Sequence, residues 1–375
     1  MKDTVLNQNF FNRDRNLVNF SNSLLKHFGA TPFHSTLLAA DKALEGHKKV
    51  AVFLFDGMGE ENLFRHPQSC RYVINHKIET IFSTNPATTV AATDALLSGR
   101  YPIETGWLGW SEYFSDLHMA VDVFPNKDSV TGEKIPGPSL LNERCPYLTI
   151  ADYMKEKGVK AKLSFESPLG NGTGPRSLHE FLTQASSFFK KDGGEFLYSY
   201  WTKPDKYLHE YGTNSIFVHF YLRRIVALIK RFVKANPDVL LFVIADHGLI
   251  NVHYEDIAQY PDLEENLSGP LVLEPRTPSF FVKKGHEKEF EEAFKAHFSG
   301  RAVLMTKAEV LEKGYFGEGT PHPLSSSFFG DYVAVMLDET CLYDSLRKKN
   351  IHMHKGHHAG GTDGERLILI SAYNV

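Results

Sequence analysis

The sequence predicts an α/β fold, a layered sandwich with a mostly parallel central sheet and helices on both faces. Three observations predict it. The run Val239-Leu240-Leu241-Phe242-Val243-Ile244-Ala245 is apolar throughout, as a strand buried on both faces requires, and it stops at Asp246-His247-Gly248. Val50-Ala51-Val52-Phe53-Leu54-Phe55 repeats the pattern and stops at Asp56-Gly57-Met58-Gly59. Phe196-Leu197-Tyr198-Ser199-Tyr200-Trp201 repeats it again, followed by Pro204-Asp205 and then His209. Open α/β sheets bind ligands just beyond the carboxyl ends of such strands.

In chain order, residues 1–45 read as a helical extension packed down by Leu24, Leu25, Leu37, Leu38 and Leu44. Residues 46–268 and 318–375 form the core. Ser83-Thr84-Asn85-Pro86-Ala87-Thr88-Thr89 is a polar turn, and Val90 to Ser98 reads as a helix that Gly99 stops. The stretch from Tyr113 to Pro146, rich in Gly, Pro, Asp and Asn, reads as long loops over the strand ends. Ile216 to Val233 has helical apolar spacing, and the interleaved Arg223, Arg224, Lys230 and Arg231 make a solvated basic face. Residues 269–317 read as a small inserted α+β subdomain: a strand at Ser279-Phe280-Phe281-Val282, a helix from Lys288 to Phe298 and a strand at Arg301-Ala302-Val303-Leu304-Met305. The chain then returns to the core through Asp331-Tyr332-Val333-Ala334-Val335-Met336-Leu337, and Leu367-Ile368-Leu369-Ile370 is a further apolar run.

The strand ends carry the chemistry. Asp56, Asp205 and Asp246 arrive at one sheet edge, where unpaired carboxylates would repel and raise one another's pKa. Two divalent cations would turn a local charge of about −3 into about +1 and attract a phosphate. Thr88 and Thr89 start the next helix, whose N-terminus offers free N–H groups to an anion. A threonine there is an ordinary N-cap on one reading and a metal-activated nucleophile on the other. An Asp-His pair after a strand is equally compatible with a hydrogen-bonded core histidine.

Five segments taken together resemble the alkaline phosphatase superfamily, and within it the nucleotide pyrophosphatase/phosphodiesterase branch. They are Phe55-Asp56-Gly57-Met58-Gly59; Pro86-Ala87-Thr88-Thr89 with the helix ending Leu97-Ser98-Gly99-Arg100-Tyr101-Pro102; Pro204-Asp205-Lys206-Tyr207-Leu208-His209; Ala245-Asp246-His247-Gly248; and Gly356-His357-His358-Ala359-Gly360-Gly361. The resemblance implies an alkaline-phosphatase-like three-layer sandwich and two metal sites. One would be held by Asp205, His209 and His358, the other by Asp56, Asp246 and His247 with the nucleophile. The family's nucleophile precedes the helix-ending glycine by ten residues, which assigns Thr89 (99 − 10). Its last histidine precedes the glutamate of the final strand by seven, which assigns His358 (365 − 7), with His357 as the alternative.

The expected activity is hydrolysis of phosphodiester or nucleotide pyrophosphate bonds through a phosphothreonine. A phosphomonoesterase, phosphonate hydrolase or phosphomutase on the same bimetal core is the alternative, and a non-catalytic metal or phosphate binder is a third reading. Oxygen and imidazole ligands favour Zn2+, with Mn2+ or Fe as alternatives. Two family features depart. The diesterase branch places an Asn three residues after the nucleophile, where this chain has Ala92, and no Arg clamp is evident, Arg100 being too near the helix end. The sulfatase branch is excluded because no Cys lies near Thr89.

Trp107, Trp110 and Tyr207 are candidate substrate-stacking residues, with core packing as the other reading. His352, His354, His357 and His358 form a histidine-rich tract that reads as one ligand among loop residues. With 375 residues the chain can bury a large core, and a net charge of −4 leaves no nucleic-acid footprint. Cys70, Cys145 and Cys341 are too few and scattered for a disulfide framework or thiolate zinc site. The first residues lack an apolar signal-peptide core and no apolar run is long enough to span a membrane, so the expected location is cytoplasmic. The expected partner is a small phosphorylated molecule such as a nucleotide.

Overall fold

Apolar runs buried on both faces pair in register and build the centre of the molecule. In the computed structural model, which describes residues 13–170, 172–349 and 351–375, six strands form the central sheet. Their order is Lys77–Phe82, Leu367–Tyr373, Leu240–Ile244, Val50–Phe55, Phe196–Trp201, Ala161–Phe165. Val50–Phe55 pairs in parallel with Phe196–Trp201 and Leu240–Ile244, placing Phe55 beside Trp201 and Leu54 beside Ile244. Leu367–Tyr373 runs antiparallel to both of its neighbours. Every residue of the three strands that precede the aspartates is buried.

Two groups of helices cover the sheet. Leu17–His27, Leu38–Leu44, Thr89–Ser98 and Ile150–Glu156 pack on one side; Pro67–Asn75, Leu178–Lys190 and Ile216–Ala235 pack on the other. The predicted N-terminal extension holds the helices Leu17–His27 and Leu38–Leu44, joined by irregular chain, and residues 1–12 lie outside the described residues. Leu24, Leu25, Leu37 and Leu44 are buried as expected, but Leu38 is 67% exposed because it starts its helix on the outward side. Arg223, Arg224, Lys230 and Arg231 are exposed. No helix among the described residues is long and apolar enough to cross a membrane.

A second, antiparallel sheet is larger than the sequence suggested. Its order is Ala302–Thr306, Tyr332–Met336, Thr277–Phe280, Val272–Glu274, Ser111–Phe114, Met119–Asp122, Lys127–Asp128. Part of the stretch read as loops from Tyr113 to Pro146 is therefore strand, hidden because each piece has four residues or fewer. Tyr332–Met336, expected in the core, pairs instead with Ala302–Thr306 and Thr277–Phe280. Val333 and Val335 face one apolar cluster; Tyr332, Ala334 and Met336 face another, against the helix Glu287–Phe298. A strand buried on both faces reads the same whichever sheet it joins.

Candidate active site

The three aspartates come from three adjacent parallel strands. Asp56 follows Val50–Phe55, Asp246 lies two residues after Leu240–Ile244, and Asp205 opens the helix Asp205–Tyr211 after Phe196–Trp201. The turns that hold them need glycine. Gly57 has φ +71°, and a Cβ there would meet the Asp205 Cα at 2.8 Å. The Gly57 N–H donates to Asp246 Oδ1 (3.1 Å), and the Asp205 N–H donates to the Asp56 carbonyl (2.9 Å). Backbone N–H groups thus anchor the Asp246 carboxylate and join the turns that carry Asp56 and Asp205.

Histidines close the cluster from two directions. His209 sits one helical turn after Asp205, so both project on one face, and its Nε2 lies 3.2 Å from Asp205 Oδ1. Its Nδ1 bonds the Gly356 carbonyl (2.8 Å), which leaves Nε2 as the free lone pair. His247 Nε2 lies 3.4 Å from Asp56 Oδ1 and 3.5 Å from Asp246 Oδ2. His358 reaches the same edge because Leu367–Tyr373 is antiparallel, so the chain entering it comes from the aspartate end. The His358 ring stacks on His247 with centres 3.9 Å apart.

Donor atoms of Asp205, His209 and His358 lie within 4.8 Å of one another, as do those of Asp56, Asp205 and His247. His358, and not its alternative His357, shares the first group. The second group contains Asp205 where the sequence reading has Asp246, so Asp205 lies within reach of both. Asp56 Oδ1, Asp205 Oδ1, Asp246 Oδ2 and His358 Nδ1 are buried without a hydrogen-bond partner. Four orphaned lone pairs in one place are costly unless a cation takes them. Burial pushes the Asp56 carboxyl well up, and the neighbouring Asp246 and Asp205 push it further. Burial also holds the His358 imidazole well below its ordinary range, with His247 adding to the effect. Three imidazoles beside crowded carboxylates, that of His358 kept neutral by burial, are a donor set that fits divalent metal.

The two threonines part company. Thr89 is the first residue of the helix Thr89–Ser98, is partly exposed, and its Oγ1 lies 3.1 Å from His247 Nε2. Thr88 is fully buried, and its Oγ1 donates to Glu274 Oε1 at 2.5 Å. It occupies the N-cap position but makes no side-chain cap bond, so the sequence expectation of a capping hydroxyl is corrected. Gly99 ends the helix in the left-handed region at φ +71°.

A family model described as type I phosphodiesterase/nucleotide pyrophosphatase matches residues 50–360, from the first core strand to the glycines after His358. The chain belongs to the type I phosphodiesterase/nucleotide pyrophosphatase family. It is therefore a phosphoric ester hydrolase on an alkaline-phosphatase-like α/β fold. Two solved structures show the fold likeness. Murine ectonucleotide pyrophosphatase/phosphodiesterase 5, as an inactive threonine-to-alanine variant in complex with AMP, has a TM-score of 0.65 at 15% identity over 87% of this chain and 88% of that one. The human protein of that name has 0.63 at 14% identity, over 87% of each chain. No curated protein sequence matches significantly.

In this phosphodiesterase, three residues named for stacking fall in different places. Trp107 is buried, and its Nε1 donates to the Cys145 carbonyl (3.1 Å), which makes it a packing residue. Tyr207 packs on Tyr221 at 4.8 Å between ring centres and against the central core. Trp110 is 39% exposed, and its N–H donates to Glu274 Oε1 (2.9 Å), the carboxylate that also receives Thr88. Ala92 is buried with no polar group to offer. Arg100 lies over the Phe33 ring at 3.7 Å and pairs with Glu104 at 3.6 Å, so it is committed elsewhere. The three cysteines are buried and unpaired, with their thiols pushed up to about 12 by burial.

Sequence reasoning missed the residues that support this phosphodiesterase site. Tyr200, inside a strand, donates its hydroxyl to Asp56 Oδ2. Glu274 ties Thr88 to Trp110; burial raises its carboxyl to about 7. Arg276 and Glu365 form a fully buried bidentate pair at 2.5 and 2.9 Å, and Glu365 also accepts the Gly360 N–H at 2.7 Å. That pair braces the loop carrying His358 against the second sheet. Asn62 bonds the Leu249 N–H and carbonyl, both at 2.9 Å, and steadies the turn after His247. Only Glu365 entered the sequence reading, as the glutamate from which His358 is counted; Tyr200, Asn62, Glu274 and Arg276 carried no motif, because each acts through a partner distant in the chain.

Proposed function

We propose that this chain hydrolyses phosphodiester or nucleotide pyrophosphate bonds through a covalent phosphothreonine at Thr89. One observation carries the reading: of two adjacent hydroxyls at a helix N-terminus, only that of Thr89 opens onto the carboxylate and imidazole cluster, 3.1 Å from His247. Asp205, His209 and His358 would hold one divalent cation, and Asp56, Asp246 and His247 with Thr89 the other, with Asp205 near both. Bound there, two cations, Zn2+ by preference for this oxygen and nitrogen donor set, supply Lewis-acid stabilisation of the charge that develops on attacking and leaving oxygens.

The chain's own residues do the rest. Thr89 Oγ1 attacks phosphorus in line, the O–P bond to the leaving group breaks as the hydroxyl proton passes to the departing oxygen, and a phosphothreonine forms. The amino end of Thr89–Ser98 faces the phosphoryl oxygens and favours their negative charge. Water then attacks phosphorus from the vacated side, the P–Oγ1 bond of the phosphothreonine breaks, and a proton of that water passes to Thr89. Tyr200 holds Asp56 in place throughout.

The murine relative captured with AMP supports a nucleotide as the substrate class. Trp110 is the residue here that could stack on a base, because its ring is exposed and its backbone is tied through Glu274 to the residue before the nucleophile. Arg100, the arginine nearest Thr89 in the chain, is committed to Phe33 and Glu104, which favours a diester, whose transferred group carries less charge than a monoester's. The test is a panel of matched aryl phosphate monoesters and diesters, phosphonates and dinucleotides with added zinc. The expected result is a higher kcat/KM for diesters. A monoester preference above about tenfold, roughly 1.4 kcal/mol in transition-state binding, would favour the phosphomonoesterase reading on the same site.

A further inference from the structure

Beyond the candidate ligands, the histidine tract continues outward as an unbroken series of imidazoles. His352 is exposed, His354 is half-buried, and His209 and His358 are mostly buried. Ring centres of His352 and His354 are 4.5 Å apart, and those of His354 and His209 are also 4.5 Å apart. His209 in turn lies 5.1 Å from His358. The outer segment is held in place rather than draped. The His354 N–H donates to the Tyr254 hydroxyl (3.1 Å), and the Lys355 N–H donates to the His209 carbonyl (2.8 Å). Among the described residues, neither the His352 nor the His354 ring makes a hydrogen bond, so their lone pairs are uncommitted.

The spacing has chemical meaning. A zinc-bound imidazole nitrogen sits about 2.0–2.1 Å from the ion, so two rings sharing one ion have centres about 5 Å apart. Each step of the series is within a small side-chain adjustment of that distance. Ordinary aromatic packing accounts poorly for His352, because an exposed ring gains little from contact with one neighbour.

We propose that His352 and His354 form a delivery site for a divalent transition-metal ion, passing it from solvent to His209 and the cluster it belongs to. This rests on the bimetal reading above. Two imidazoles bind an ion weakly and leave coordination positions open. Hand-over is then a ligand exchange with no change of charge: the bond to His209 forms as the bond to His352 breaks. Such a site speeds both entry and exit and leaves the equilibrium affinity unchanged.

The experiment mixes chelator-stripped, dialysed full-length protein with Zn2+ held by a coloured indicator, and follows transfer by stopped flow. Release into excess chelator gives the reverse rate. Wild type, His352→Ala and His352→Ala/His354→Ala are compared, with melting temperature as a control for folding. The double variant should take up and release zinc about tenfold more slowly, with equal final stoichiometry and unchanged Kd. His352→Ala, altered only at an exposed side chain, should show a smaller slowing of the same kind. Unchanged rates in both variants would overturn the proposal. So would unchanged uptake with a Kd weakened about 10–100-fold, which is the signature of rings that merely orient His209. A wild-type protein that took up no zinc would remove the bimetal reading itself, and the delivery site with it.

Discussion

Thr89 Oγ1 lies 3.1 Å from His247 Nε2, within a cluster that has four buried donor atoms without hydrogen-bond partners. Thr88, one residue earlier, turns its hydroxyl the opposite way to Glu274. Thr89→Ala should therefore reduce kcat more than about a thousandfold while metal content and melting temperature stay near wild type. Thr88→Ala should retain most activity but lose about 1–3 kcal/mol of stability, because it leaves a buried carboxylate one partner short. Phosphoryl adduct mapping by mass spectrometry decides between them; an adduct on any residue but Thr89 would refute the assignment.

Chelation should abolish turnover and lower the melting temperature together. The stripped site leaves Asp56, Asp205 and Asp246 facing one another with orphaned oxygens, so the metal-free chain loses binding energy that is also folding energy. Elemental analysis of protein purified without chelator should find close to two transition-metal ions per chain. A metal-free preparation that still hydrolysed phosphate esters would rule out the bimetal site.

Tyr200→Phe tests the support behind Asp56. The hydroxyl donates to Asp56 Oδ2 and touches no reacting atom in the proposed site. Its loss should weaken metal affinity or activity by about 10–100-fold, and excess zinc should restore part of the activity. An unaltered zinc affinity and rate would show that Asp56 is positioned by its backbone alone.

Arg276 and Glu365 are both fully buried and bonded to each other. Arg276→Ala should cost about 3–5 kcal/mol in urea unfolding, because it strands a buried carboxylate. Since Glu365 also holds the Gly360 N–H, metal content should fall with it. A destabilised variant that kept its full metal complement would separate the brace from the site.

Asp94 is a buried carboxyl on the helix Thr89–Ser98, raised from 3.8 to about 7 by burial although it accepts the Tyr147 hydroxyl. Between pH about 4 and about 7 the unfolded chain has released a proton that the folded chain keeps. Folding takes up that proton, so stability falls as pH rises through this window and then levels off. Asp94→Asn should lack this component. Its stability relative to wild type should grow from pH 5 to pH 7.5 in denaturant titrations; a constant difference would mean Asp94 does not titrate there.

Much of the site was legible because its motifs follow strand ends. Asp56, Asp205 and Asp246 sit just beyond apolar runs, and strands Val50–Phe55 and Phe196–Trp201 match the predicted runs residue for residue. Parallel strands of one sheet put their carboxyl ends on one edge, so order along the chain already implies proximity in space. His209 follows from helical spacing alone.

The sequence by itself determined the α/β class, the buried strands that precede the aspartates, the helix read from Val90 to Ser98 and stopped by Gly99, and the family. Each of these depends on local periodicity or on short motifs in a set order. The resemblance had already assigned Thr89 and His358; only the tertiary structure decided that the Thr88 hydroxyl goes to Glu274, that Asp205 lies within reach of both groups, and that Tyr332–Met336 joins the second sheet. It alone revealed Tyr200 behind Asp56 and Arg276 against Glu365. The physical reason is the same in each case. Hydroxyl direction, strand partner and buried ion pair are set by contacts between residues up to 186 positions apart, as for Thr88 and Glu274, and such contacts leave no period in the chain.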